Sequence, residues 1–116
     1  MVRIVRRKPS TALKDVKALI RADDIFIKPD AIRYALNDFG WNASDIKKCL
    51  LKLNDRYHRD NPEKNHFYKT VEHRYHTDIM VDYYKAQNII KGINVYTHFH
   101  IHPIDGKLII DSFKEV

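Results

Sequence analysis

The sequence predicts an α+β fold in which N-terminal helices pack on a C-terminal, mainly antiparallel sheet. Three observations lead there. Apolar residues recur at helical spacing through residue 53, β-branched and aromatic residues dominate from His66 onward, and Pro103-Ile104-Asp105-Gly106-Lys107 forms a turn between two alternating segments. The chain has 116 residues, which suits a single domain spanning 1–116 with one modest core. Residues 1–9 form a basic tail that need not be ordered.

Ser10 or Thr11 can cap a first helix that turns Leu13, Val16, Leu19 and Ile20 inward and Lys14, Lys17 and Arg21 outward. Ile25-Phe26-Ile27 reads as a short strand. Pro29 suits a helix start, Ile32, Ala35 and Leu36 would face inward, and Gly40 can terminate that helix. Trp41 belongs with the core. Ser44 opens a third helix through Leu53, burying Ile46, Cys49, Leu50 and Leu53. Residues 54–65 are polar and contain Pro62, so they read as a surface loop whose Arg56, His58, Arg59 and Lys64 can reach phosphate.

Phe67 to Val71 reads as a strand. The segment from Ile79 to Tyr84 alternates like one at Ile79, Val81 and Tyr83, though it is also short enough for about one and a half helical turns, and Ile89-Ile90 leads through Lys91-Gly92 into a strand from Ile93 to His102. A three-residue hairpin loop, with a type I turn at Ile104-Asp105 and Gly106 in the left-handed position, then fixes the final register. Pairing Pro103 with Lys107 sets Ile101 opposite Ile109, Phe99 opposite Asp111 and Tyr96 opposite Lys114. One face receives Val95, Thr97, Phe99, Ile101, Ile109 and Phe113, a core with Asp111 as its misfit. The other receives Tyr96, His98, His100, His102, Ser112 and Lys114.

Charge narrows the partner. There are 21 Lys and Arg against 15 Asp and Glu, a formal net charge of +6, which favours a polyanion such as nucleic acid. The lone Cys49 excludes an intrachain disulfide and a multi-cysteine zinc site, fits a reducing cytoplasm, and reads as core filler. No apolar run approaches a membrane span, and no apolar stretch follows the basic N-terminus as a secretion signal requires. The histidine face is chemically loaded for a solvated strand. A His-x-His-x-His strand can hold a metal, which makes a metal-dependent hydrolase one alternative reading, but basic surroundings oppose a dication. A non-catalytic RNA-binding module is the other.

The segments Leu13-Lys14-Asp15-Val16-Lys17-Ala18-Leu19-Ile20, Phe67-Tyr68-Lys69, Val95-Tyr96 and Leu108-Ile109-Ile110-Asp111-Ser112-Phe113-Lys114-Glu115 resemble, in order and spacing, the MqsR family of type II toxin–antitoxin toxins. The similarity runs from about Leu13 to Lys114. It implies a RelE-like ribonuclease toxin fold and metal-independent cleavage of single-stranded mRNA at a short GCU-like site, hence no cofactor. It also implies a cognate, DNA-binding antitoxin of the MqsA type. The family's functional lysine after Phe-Tyr falls on Lys69, its sheet tyrosine on Tyr96 and its lysine in Ser-Phe-Lys on Lys114. Its glutamine before Asp-x-Tyr falls on Val81, ahead of Asp82-Tyr83-Tyr84, a departure that leaves that role vacant or supplied from elsewhere.

Metal-free RNA cleavage needs a base for the 2′-OH, cations for the crowded phosphate and an acid for the leaving oxygen. Lys69 and Lys114 are expected to stabilise phosphate charge and to favour the phenolate of Tyr96. A histidine, with an ordinary pKa of roughly 6.5, suits proton transfer better than a lysine, so His100 or His102 would cover for the missing glutamine. Tyr68 and Tyr84 are candidates to stack on bases, Arg74 and Lys85 to hold phosphates, and His98 to contact RNA.

Overall fold

The computed structural model describes residues 4–6, 8–54, 65–76 and 78–116. In chain order the elements are β1 (Ile4–Arg6), α1 (Leu13–Arg21), β2 (Ile25–Ile27), α2 (Pro29–Phe39), α3 (Ala43–Leu50), β3 (Phe67–Glu72), β4 (Met80–Ile90), β5 (Ile93–Ile101) and β6 (Leu108–Glu115). The strands form one six-stranded sheet in the order β1-β3-β4-β5-β6-β2. Its pairings are antiparallel except for β2 against β6, so the α+β expectation of a mainly antiparallel sheet holds. Residues 4–6 of the expected tail form an edge strand. The cations foreseen at Arg56, His58, Arg59 and Lys64 lie outside the described residues.

The helices cover one face of the sheet. Leu13, Val16 and Ile20 of α1, Ala31 and Ala35 of α2, and Ile46, Cys49 and Leu50 of α3 share a core with Tyr84, Val95, Phe99, Leu108, Ile110 and Phe113. Burial on this scale drives the layering, at about 25 cal/mol per Å² of apolar surface removed from water. Cys49 is 1 % exposed, and burial pushes its thiol up to about 12, which leaves it a core filler. Trp41 packs against Phe39 and Phe113 at 4.7 and 6.1 Å between ring centroids. No described helix is long and apolar enough to cross a membrane.

Several local expectations change. α1 begins after Ala12 without a side-chain cap, because the Ser10 and Thr11 backbone amides donate to the two carboxylate oxygens of Asp82, at 2.8 and 3.0 Å. The cap of α3 is Asn42, paired with Asp45 in a capping box, and Leu53 is buried beyond the helix end. α2 starts at Pro29 and ends at a left-handed Gly40 as its residues predict. It buries Ala31 and Ala35, however, while Ile32 and Leu36 stay exposed, since small side chains let the helix lie close on β6.

The β5–β6 register holds where it matters and slips where it was least constrained. Tyr96 opposes Lys114, Thr97 opposes Phe113 and His98 opposes Ser112. Beyond them Phe99 opposes Ile110 and Ile101 opposes Leu108, so Asp111 is the extra residue of a β-bulge. The turn is accordingly longer than expected: His102 and Lys107 are bonded, N–H to carbonyl, at 2.8 Å, and Gly106 takes φ +73° inside the loop. The bulge resolves the misfit. It turns Ile110 into the core in place of Ile109 and swings Asp111 out to the histidine face.

Candidate functional site

The sheet face away from the helices is a grid set by strand register. Tyr84 and Ala86 on β4, Val95 and Thr97 on β5 and Phe113 on β6 point into the core, so their neighbours point outward. One row across the strands is Lys85, Tyr96, Lys114. The next is Lys69, Tyr83, His98, Ser112. Directly opposed side chains in such rows stand about 5 Å apart at Cβ. A second bulge, at Tyr68 between Phe67 and Lys69, brings Tyr68 to the same face as Lys69.

The lysines lie over tyrosine rings. Lys85 Nζ is 4.1 Å from the Tyr68 centroid, and Lys69 Nζ is 5.0 Å from Tyr68 and 5.1 Å from Tyr83. Lys114 Nζ is 5.5 Å from Tyr96 and 5.9 Å from Tyr34 of α2. These are cation–π distances, and they hold the ammonium groups without neutralising them. Among the described residues no carboxylate forms an ion pair with Lys69, Lys85 or Lys114.

Inside this frame Tyr83 and His98 stack at 4.4 Å with 21° between planes, and Tyr96 meets both edge-on. Burial pushes the Tyr96 phenol up to about 12, with the neighbouring Tyr83 and Tyr68 adding to it. The expected phenolate is therefore corrected: loss of solvent and the neighbouring phenols keep Tyr96 protonated, with a proton to donate. Burial also raises Tyr83, with the Asp111 carboxylate adding to it. His98 is lowered to about 4, by burial first and then by Lys114, Lys28 and His100, against the opposing pull of Asp111. It is neutral near pH 7. Its Nδ1 is buried with no partner among the described residues.

A second cluster lies further along β5. His100 Nδ1 meets Asp111 Oδ2 at 2.6 Å, and Lys28, just past β2, meets Asp111 Oδ1 at 2.7 Å. Burial opposes charge on Asp111, but the hydrogen bonds from His100 and Lys28 prevail and hold its carboxyl below the usual range. His73 stands edge-on to His100 at 5.7 Å, and burial, then its neighbour His100, lower it. Lys28, His73, Arg74, Tyr83, His98 and Asp111 line a cleft of about 410 Å³.

Of the residues singled out by sequence, Lys69, Lys85, Lys114, Tyr68, Tyr96 and His98 come together. Arg74 is exposed at the adjoining cleft, its guanidinium 5.5 Å from the Tyr75 ring. His100 and His102 lie four and six residues along the chain from Tyr96, about 13 and 20 Å at strand rise, so they stand outside the lysine–tyrosine cluster. Tyr84 is corrected outright. It is 0 % exposed and stacked on Phe99 at 5.3 Å, and the outward tyrosine is its neighbour Tyr83. Val81, at the family's glutamine position, is buried on the outer face beside the 410 Å³ cleft.

Sequence reasoning missed Tyr83, Asp111, Lys28 and His73. The alternation of Val81 and Tyr83 and the misfit of Asp111 were signals for two of them. Among the described residues no three His, Cys, Asp or Glu side chains are grouped to hold a metal ion. His100 is committed to Asp111, and His102 Nδ1 receives the Ile104 and Asp105 amides at 3.2 and 3.4 Å. No family model matches the sequence, and no curated protein matches it significantly.

Proposed function

We propose that this chain is a metal-independent endoribonuclease that cleaves single-stranded mRNA, the toxin of a type II toxin–antitoxin pair with an MqsR-like, RelE-like fold. One observation carries the reading: on one sheet face Lys85 and Lys114 flank Tyr96 and Lys69 stands in the next row beside Tyr83, all over tyrosine rings and, among the described residues, without a carboxylate partner. Ammonium groups beside aromatic faces suit a strand of phosphates and bases. The net charge of +6 supports the same partner. The reading places the protein in the cytoplasm, where mRNA is, with a DNA-binding antitoxin that covers this face.

The chemistry follows from the protonation states. The scissile phosphate sits among Lys69, Lys85 and Lys114, which offset the charge that builds on its non-bridging oxygens. Neutral His98 accepts the 2′-OH proton, and the bound phosphate's negative charge raises its basicity from the low value of the free protein. The O2′–P bond forms, the P–O5′ bond breaks, and the Tyr96 phenol gives its proton to O5′. His98 then returns its proton to the Tyr96 oxygen. The products are a 2′,3′-cyclic phosphate and a 5′-OH. In this scheme His98 takes the proton-transfer role first expected of His100 or His102.

The test is incubation of full-length protein with a long single-stranded RNA in EDTA, with primer extension to map ends. Cleavage at a short recurrent motif supports the proposal. Cleavage that appears only when a divalent metal is restored contradicts it, and salt-sensitive binding without cleavage reduces the protein to an RNA-binding module.

A further inference from the structure

The far end of the same sheet face carries a second cleft, of about 610 Å³, between the segment after β3 and the β5–β6 turn. Its walls include Phe26, Ile104 and Ile109, with His73, His100 and His102 set among them. Phe26 and Ile104 are 51 % and 90 % exposed, unusual for apolar side chains on a face otherwise lined by cations and imidazoles.

The imidazoles are not interchangeable, because the partner of each Nδ1 fixes what the other nitrogen presents. The Tyr75 amide donates to His73 Nδ1 at 3.2 Å, so neutral His73 carries its proton on Nε2 and is a donor there. His102 Nδ1 faces the Ile104 and Asp105 amides at 3.2 and 3.4 Å and the Asp105 carboxylate at 3.3 Å. Two amides need an acceptor, so neutral His102 also donates from Nε2. His100 is the reverse. Its Nδ1–H is held by Asp111 at 2.6 Å, so neutral His100 presents Nε2 as an acceptor. With neutral rings the cleft therefore combines apolar and aromatic walls with two imidazole donors and one acceptor, beside Lys28, His76 and Asp78.

We propose that this cleft is a nucleobase subsite that reads one base of the bound RNA strand away from the scissile phosphate. The proposal rests on the RNA-cleaving reading above. A phosphate would find Lys28 already held by Asp111 and have little use for Phe26, Ile104 and Ile109, and a purely apolar ligand would leave the lining imidazoles unpaired. A base uses both, stacking its face on Phe26 and matching its edge to the donor and acceptor set. The strand from Tyr96 to His102 spans about 20 Å, which places the read base beyond the nucleotides that flank the cut.

Binding of short 2′-O-methylated single-stranded RNAs, which cannot undergo 2′-OH cleavage, tests this without relying on activity. A set differing in one base per position is titrated into full-length wild type, Phe26→Ala and His102→Gln, with urea midpoints confirming that both variants fold. Wild type should prefer one base at one position by about tenfold, and each variant should bring that preference to within about twofold while keeping the salt dependence. Wild-type binding without base preference, or a preference that survives in both variants, would overturn the subsite while leaving the ribonuclease reading intact. Absence of any RNA binding would overturn both.

Discussion

Tyr96 and Lys114 face each other across the β5–β6 ladder, with Lys114 Nζ 5.5 Å from the centre of the Tyr96 ring. The two residues are 18 positions apart in sequence, and the pairing depends only on hairpin register. With Lys85 on the other side of Tyr96, the row has a protonated phenol between two ammonium groups. Under the proposed function this row holds an oxyanion.

Lys114→Ala removes a cation from the reacting phosphate without touching the core, because Lys114 is exposed. Cleavage should fall by roughly 100-fold or more, the cost typical of losing one oxyanion-stabilising donor. The urea midpoint should match wild type. Lys91→Ala, at the exposed β4–β5 turn, should leave cleavage unchanged and serves as the charge control.

Lys85→Ala should weaken RNA binding alike for all sequences. The slope of log affinity against log salt should become shallower by about 0.7, the value for one phosphate contact on a single strand. Titrations of a short RNA at several salt concentrations read this directly, and an unchanged slope would remove Lys85 from the interface.

His98 has its folded-state pKa lowered to about 4, below its unfolded value of roughly 6.5. Above pH 6.5 it is neutral in both states and contributes no pH dependence. As pH falls from about 6.5 to 4 the unfolded chain takes up the proton first, so stability drops across that window. His98→Phe keeps a ring against Tyr83 and cannot titrate. Its urea midpoint should fall less over that pH range than that of wild type.

Asp111 is shifted in the same direction as His98 and gives the same direction of outcome. Its folded carboxyl lies below the ordinary value, so its stabilising effect is present above roughly pH 4 and is lost as pH falls through the lowered folded value. Asp111→Asn should cost about 1–3 kcal/mol at neutral pH, because Lys28 and His100 lose a charged acceptor. The variant's acid transition should be correspondingly shallower.

Tyr83 and Tyr84 separate the two faces of β4. Tyr84→Ala should destabilise the fold by about 3–5 kcal/mol, the usual cost of emptying a large buried aromatic site. Tyr83→Ala should cost less stability and weaken RNA binding by about 1–3 kcal/mol if a base stacks there. Chemical denaturation and RNA titration of the two variants measure this contrast.

The helices, the order of strands along the chain and the Tyr96–Lys114 pair were legible in the sequence because each is written in local periodicity. What escaped depends on partners far away in the chain. Asp82 looks wrong for a core-facing position, but the Ser10 and Thr11 amides and the Thr70 hydroxyl, at 2.8, 3.0 and 2.6 Å, help make its burial tolerable. Without them the alternation of Ile79, Val81 and Tyr83 suggests the wrong inner face, and Tyr84 is mistaken for a surface platform. Lys28 reaches Asp111 through the parallel pairing of β2 with β6, a contact no local pattern announces. The Asp111 bulge was foreshadowed only as an acid stranded among apolar neighbours. A one-residue bulge reverses which side chains face inward, so the register beyond it could not be read from the turn alone.

The central claim is that the Lys85–Tyr96–Lys114 row and its neighbours cleave RNA without a metal. The most direct measurement is the chemistry of the ends released from single-stranded RNA by wild type and Lys114→Ala in EDTA. Wild type should release 2′,3′-cyclic phosphate and 5′-OH termini, and the variant should lose roughly 100-fold in rate. A folded Lys114→Ala protein that cuts at the wild-type rate, or wild-type products ending in 3′-OH and 5′-phosphate, would contradict it.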